Sequence, residues 1–275
     1  MKPTYNNAFL TGACGGLGQA LARELLARGA NVALVGLNAQ ALNDLHAIAP
    51  QRTAVYTPDV TDSNSMQTCA EDWITSFGMP DLVIANAGVA GGFDTEYAED
   101  LAVMRRMLEI NVLGVATTFQ PFVAGMKKQK RGALVGIASI AGWRGMPGNG
   151  AYCASKGALI RYMESLRSEM RGTGVRAHTV SPGYLKTQLT AGNQFAMPGL
   201  MEADEAARAL LKGLENGTEH IVLPRHVGWL SRLLGLLPAA LHDQILLKQP
   251  RKPRAGMAGS TPIPGLDAEQ IKSNK

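Results

Sequence analysis

The chain has 275 residues, 46% hydrophobic and 18% charged, enough to bury one sizeable core. Its net charge of +5 collects at one end, where Lys248, Arg251, Lys252, Arg254, Lys272 and Lys275 face only Asp267 and Glu269. The body is left near neutral, which excludes the basic face of a nucleic-acid binder. Cys14, Cys69 and Cys153 are dispersed, without paired spacing or a histidine partner. This excludes a structural metal and fits a reducing, cytoplasmic compartment.

Taken in chain order, short β-type runs alternate with helical patterns: a strand at 8–10 and a helix at 17–28, then 32–35 with 39–48, and 54–56 with 63–77. The series continues with a strand at 82–85, a long helix near 97–128, a strand at 133–138, a helix at 151–170, a strand at 175–180, a helix near 202–216 and a strand at 221–223. Such alternation predicts crossover units, hence an α/β fold: one Rossmann-type, doubly wound parallel sheet of about seven strands with helices on both faces. The runs VALV, LVIA and ALVGIA are apolar at consecutive positions, as strands buried on both faces should be. The N-terminal segment lacks the apolar run of a secretory leader. Arg232, Pro238, His242 and Asp243 interrupt the most apolar stretch, 229–247, so no membrane span is expected. The oxidoreductase domain is expected to occupy 1–248, and the Pro, Gly and Arg-rich remainder, 249–275, to be a disordered basic tail.

The first strand runs into Thr11-Gly12-Ala13-Cys14-Gly15-Gly16-Leu17-Gly18 and then a helix. In a crossover unit this sets bare N–H groups and a positive helix end against a pyrophosphate, which only glycine lets approach so closely. A purely steric turn is the competing reading, and the strand, loop and helix context favours the dinucleotide. No Walker lysine follows. At the end of the second strand, where an acid usually holds the adenosine ribose hydroxyls, stand Gly36, Leu37 and Asn38. No acid there repels a 2′-phosphate, so NADP(H) is expected over NAD(H). Asp59, in Pro58-Asp59-Val60, reads equally as an acceptor for an adenine amine and as the cap of the helix starting near Ser63.

Tyr152 and Lys156 are one turn apart on one helical face. An ammonium beside a phenol stabilises the phenolate and draws its pKa down from about 10. Ser139 ends the strand 133–138, at the carboxyl edge of a parallel sheet where ligands bind.

These residues carry a resemblance. The loop TGACGGLG, Ala85-Asn86-Ala87-Gly88, Asn111 in EINVLG, Ser139, the Tyr152-x-x-x-Lys156 pair and Ser181-Pro182-Gly183 resemble, in order and spacing, the short-chain dehydrogenase/reductase family over about residues 8–225. The resemblance implies a nicotinamide cofactor and hydride transfer between a carbonyl and an alcohol. It implies Tyr152 as acid/base, Lys156 lowering its pKa and binding the nicotinamide ribose, Ser139 holding the substrate oxygen, and Asn111 supporting a water that leads to the lysine. It further implies that Gly12, Cys14, Gly15, Gly16, Leu17, Gly18, Leu37, Asn38, Asp59, Val60, Asn86, Ala87, Gly88, Tyr152, Lys156, Pro182, Gly183 and Thr187 hold the cofactor. Two departures stand out: Ala85 replaces the first Asn of the usual Asn-Asn-Ala-Gly, and Gly15 stands where many NADP-preferring members carry a base.

In the family, residues after Pro182-Gly183 form a flap over the substrate, here 184–201. Tyr184, Leu185, Leu189, Phe195, Met197, Leu200 and Met201, with Trp143, Met146 and Phe93, would enclose an apolar pocket for a small hydrophobic ketone or alcohol. The same residues also suit a packed core. The segment 229–247 is apolar at helical spacing. It would close the pocket or pack on another subunit of a dimer or tetramer, with peripheral membrane contact as the alternative. A noncatalytic protein that senses the cofactor on the same fold is the competing function. Against it, Asn111, Ser139, Tyr152 and Lys156 are all present.

Overall fold

A computed structural model describes residues 5–191, 197–246, 251–257 and 259–266. The chain runs β1 (Asn7–Thr11), α1 (Gly16–Ala27), β2 (Asn31–Val35), α2 (Ala39–His46), β3 (Thr53–Tyr56), α3 (Ser63–Phe77), β4 (Leu82–Ala85), α4 (Asp100–Leu108), α5 (Gly114–Gln129), β5 (Gly132–Ile137), α6 (Gly150–Glu169) and β6 (Val175–Pro182). It continues with β7 (Leu185–Lys186), α7 (Gln188–Ala191), β8 (Met201–Glu202), α8 (Ala203–Glu215), β9 (His220–Leu223), α9 (Arg225–Gly235) and α10 (Ala239–Leu246). Seven parallel strands form one sheet in the order β3-β2-β1-β4-β5-β6-β9, and β7 pairs with β8 beside it. The strand order reverses between β1 and β4, which opens the crevice at their carboxyl ends where such sheets bind ligands.

The consecutive apolar residues of each strand serve two cores. On one face Phe9, Val83 and Leu134 meet Trp73 of α3 and Phe119 and Phe122 of α5. On the other, Leu10, Leu34 and Ile84 meet Leu21 and Leu25 of α1 and Leu210 and Leu214 of α8. Each such side chain contributes about 1.5–3 kcal/mol by burial. The two layers together hold the sheet edge rigid under the site.

Three expectations need correcting. The long helix near 97–128 is broken by a π-helical turn, Glu109–Leu113, which carries Asn111. With that turn counted, Asp100–Gln129 does hold an 18-residue window of mean hydropathy 1.2. One side of it packs inside the protein against α3 and α6, while Leu101 and Leu113 are exposed. The second correction concerns 229–247. Leu233, Leu236 and Leu241 are exposed, Leu236 by 81%, so the apolar stripe of α9 and α10 does not cover the core. What α9 buries is its first turn, through Val227 and Gly228 against Gly199 and Val222. The side chain of Trp229 lies outside the described residues. The third is the tail. Its described part, 251–257 and 259–266, is packed: Ala255 and Ile263 are buried, and Arg254 makes a bidentate ion pair with the fully buried Asp100. A few strong anchors replace the periodic pattern that announces a helix or strand.

Candidate active site

The loop after β1 turns at Gly12, whose φ of +66° is left-handed. A Cβ there would lie 2.7 Å from the Ala87 nitrogen, so glycine is required. Asn86 pins the loop to the end of β4 by donating to the carbonyls of Thr11 and Gly12, at 3.1 and 3.0 Å. Gly15 precedes α1 with no side-chain cap among the described residues, so the first N–H groups of the helix remain for a ligand. At Gly16 a Cβ would meet Thr187 Cγ2 at 2.7 Å, which brings the start of the flap against the loop across bare backbone. These glycines form a cradle that side chains would fill, and the positive end of α1 adjoins it. That arrangement fits a pyrophosphate.

Ser139 follows β5 and begins a short 3-10 turn, its Oγ accepting from Ala141 N at 3.1 Å and donating to Pro182 O at 3.4 Å. It also shares a hydrogen bond with the Tyr152 phenol. Tyr152 and Lys156 stand one turn apart on α6. Lys156 is buried, donates from Nζ to Ile137 O at 2.7 Å, and holds Nζ 5.9 Å from the Tyr152 ring centroid. Burial pushes Tyr152 up to about 12, the Ser139 bond offsetting part of the rise, and pulls Lys156 down to about 8. The expected lowering of the phenol by the ammonium is therefore not met here: Nζ is turned to the Ile137 carbonyl, and desolvation outweighs the charge. At neutral pH the phenol keeps its proton and the amine is mostly charged.

Asn111 is fully buried behind this group. Its amide donates to Val89 O and Ser155 Oγ, both at 3.0 Å, and its Oδ1 accepts from Val89 N at 2.9 Å. Ser155 Oγ in turn donates to Tyr152 O at 2.9 Å. Asn111 thus clamps the segment after β4 to the helix that carries Tyr152 and Lys156. The π-turn is what aims it inward.

One cavity of about 730 Å³ joins these parts. It takes in the glycine loop from Gly12 to Gly18 apart from Ala13, then Leu37, Asn38, Asp59, Val60, Asn86, Ala87 and Gly88, and Ser139, Tyr152, Lys156, Pro182, Gly183 and Thr187. Residues 58–60 follow β3 and Ser139 follows β5, four places apart in the sheet order. At about 4.8 Å per strand that is roughly 19 Å, room for an extended dinucleotide. Asp59 does not cap α3. Asp62 does, accepting from Asn64 N and Ser65 N, while Asp59 accepts from Thr61 N and pairs with Arg106.

Trp143, Met146 and Tyr184 do not line this cavity. Trp143 lies 5.1 Å from the Arg232 guanidinium and edge-on to His220 instead. Phe195 lies outside the described residues. The apolar walls come from Val89, Ile110, Leu185 and Leu189. Arg106, Thr261, Pro262 and Pro264 also line it, and the sequence pattern did not point to them. Arg106 was findable, because it lies one turn before Ile110 on the helix leading into Asn111. The tail residues carry no such signal.

A doubly wound sheet whose glycine cradle and buried serine, tyrosine and lysine open on one cavity defines a nicotinamide-dependent oxidoreductase. The family model of the short chain dehydrogenase matches residues 6–196, and the chain belongs to this family. It is 38% identical over 245 residues to an uncharacterized oxidoreductase of Myxococcus xanthus, covering 87% of this chain and 96% of that one. It is 33% identical over 204 residues to the cis-4-hydroxycyclohexanecarboxylate dehydrogenase of Sinomonas cyclohexanicum, covering 73% of this chain and 80% of that one. Among solved structures, a short chain dehydrogenase of Burkholderia cenocepacia in complex with NADP superposes with a TM-score of 0.77 at 27% identity, covering 90% of this chain and 99% of that one.

Proposed function

We propose that the protein interconverts a small hydrophobic ketone and its secondary alcohol, with NADP(H) preferred over NAD(H). The observation that carries this reading is that Ser139, Tyr152 and buried Lys156 line the same cavity as the glycine cradle. The nicotinamide, when bound, supplies or accepts the hydride. Ser139 Oγ holds the carbonyl oxygen, and Tyr152 Oη gives its proton to that oxygen as negative charge develops on it. Lys156 would hold the nicotinamide ribose, and its amine, once turned from the Ile137 carbonyl, would offset the charge left on Tyr152. In the oxidative direction Tyr152 takes the alcohol proton back. Asn111 acts through Val89 and Ser155, as a positioning residue for the helix bearing Tyr152.

The substrate class rests on Val89, Leu185 and Leu189 around the cavity and on the alicyclic substrate named for the Sinomonas cyclohexanicum relative. The cofactor preference rests on the absence of an acid at Gly36, Leu37 and Asn38 and on the NADP held by the Burkholderia cenocepacia protein. A cytoplasmic setting is supported by three free, dispersed cysteines. The outward leucines of α9 and α10 leave an apolar face to be covered, and a dimer or tetramer is preferred to peripheral membrane contact because such faces are usually buried in protein. The noncatalytic alternative is not favoured, since the relatives are named as oxidoreductases and dehydrogenases. The test is turnover of hydrophobic ketones and secondary alcohols with both cofactors, followed by the absorbance of the reduced nicotinamide. NADPH-dependent reduction is expected, and no turnover of any member of the panel would overturn the proposal.

A further inference from the structure

The described C-terminal residues do more than pack. Gly92 and Arg254 form a β-bridge, Gly92 N donating to Pro253 O at 3.2 Å and Ala255 N to Gly92 O at 3.1 Å. A Cβ on Gly92 would lie 2.2 Å from the Pro253 carbonyl, so glycine there is what lets the segment dock. Arg254 donates to both oxygens of Asp100, at 3.0 and 2.8 Å, and its guanidinium lies 3.4 Å from the Tyr97 ring centroid. Ile263 is the second anchor, buried over Gly91 and Met107. Between and beyond these anchors, Thr261, Pro262 and Pro264 reach the cavity wall. Arg106 ties that stretch to the end of β3: its Nε donates to Pro264 O at 2.8 Å, its Nη1 to Thr61 Oγ1 at 3.1 Å, and its Nη2 pairs with Asp59.

We infer that residues 251–257 and 259–266 belong to a strap that completes the adenosine end of the cofactor site, with Thr261, Pro262 and Pro264 as its wall and Arg106 as its link to Asp59. The inference rests on the dinucleotide reading above, because it is the four-strand separation from Ser139 that makes this end the one for adenosine. Prolines suit the role. Their φ is fixed, so little is lost on ordering, and their rings offer an apolar face to a purine without competing N–H donors. Arg106, the cation in this wall, is held by Asp59, and Arg254 is held outside the cavity by Asp100.

Thermodynamic linkage supplies the test. If the closed strap tightens adenosine binding, bound adenosine must close the strap by the same factor. Arg254 is paired and Ala255 is buried, so trypsin should cut the Arg254–Ala255 bond only when the strap lifts. Saturating NADPH or AMP should slow that cut by about tenfold in the full chain, and nicotinamide mononucleotide should not. In parallel, a Thr261→Gly, Pro262→Gly, Pro264→Gly variant keeps the Arg254 and Ile263 anchors and should raise the Kd for NADPH and for AMP by about tenfold, read by fluorescence and calorimetry. A cut that bound NADPH leaves unchanged, or a Kd for the glycine variant within twofold of the parent, would overturn the inference. A parent chain that binds neither NADPH nor NADH would instead overturn the dinucleotide reading beneath it.

Discussion

A Cβ placed on Gly36 would lie 2.8 Å from Cys14 Sγ, so the thiol of the glycine loop and the bare end of β2 occupy each other's space. The usual way to convert such a site to NAD(H), an acid at the end of β2, therefore meets a neighbour. Gly36→Asp alone should weaken both cofactors, because the thiol must turn over the loop. Adding Cys14→Ala leaves a Cβ at 3.6 Å, an ordinary contact. The double variant should favour NADH over NADPH by about tenfold, the scale of one charge set against a 2′-phosphate. Equal Kd values for the two cofactors in the double variant would count against Gly36 as the discriminating position.

Tyr152→Phe removes the proton donor and keeps the ring. Turnover should fall by about two orders of magnitude or more, with cofactor affinity changed little, since the ring still packs beside Lys156. Steady-state rates and cofactor fluorescence titration on the same preparation separate the two. Turnover close to that of the parent would remove Tyr152 from the proposed chemistry.

The pH dependence follows from burial. Lys156 at about 8 and Tyr152 at about 12 are both protonated below about pH 8, and reduction needs both protons. Reductive kcat/KM should be level at neutral pH and fall as pH rises through about 8, where Lys156 loses its charge. Stability runs the other way. The folded pKa of Lys156 lies below its unfolded value of 10.5, so burying the charge costs stability in full below about 8. That cost disappears toward 10.5. Lys156→Met should gain stability relative to the parent at pH 7 by more than at pH 10. Urea midpoints at the two values check the sign.

The parallel sheet was legible because VALV, LVIA and ALVGIA are buried on both faces, and the core of the site because Gly12, Ser139, Tyr152 and Lys156 stand at spacings set by sheet and helix geometry. What escaped was whatever lacks a period. The break at Asn111 interrupts an otherwise continuous helical pattern, since a π-turn adds one residue without changing composition. The strap is held by two anchors, Arg254 and Ile263, set among Pro and Gly residues that read as disorder. For α9 the periodicity was right, yet amphipathicity does not say which surface the apolar face meets.

That face yields a further prediction. Leu233, Leu236 and Leu241 point outward from the single chain. Changing all three to Ser should cost the monomer within about 0.5 kcal/mol at each position. Light scattering should show a smaller assembly for the variant than for the parent. An unchanged mass would remove α9 and α10 from the proposed dimer or tetramer, and loss of liposome binding by the variant would assign the face to a membrane.

The strap's anchor can be weighed by itself. Asp100 is fully buried, and its carboxylate accepts from Arg254 Nε and Nη2 and from Asp94 N at 2.7 Å. Arg254→Ala leaves that charge in a dry site with one backbone donor, which should cost about 3–5 kcal/mol. Asp100→Asn in the same chain removes the stranded charge and should recover part of the loss, because an amide oxygen still accepts from Asp94 N. Urea denaturation of the parent, both single variants and the double variant closes the cycle. A coupling near zero would mean that Arg254 holds the strap through Tyr97 and Glu99 instead. A tail that adds nothing to stability would require Arg254→Ala to melt with the parent, and a buried, bidentate pair makes the opposite the expected result.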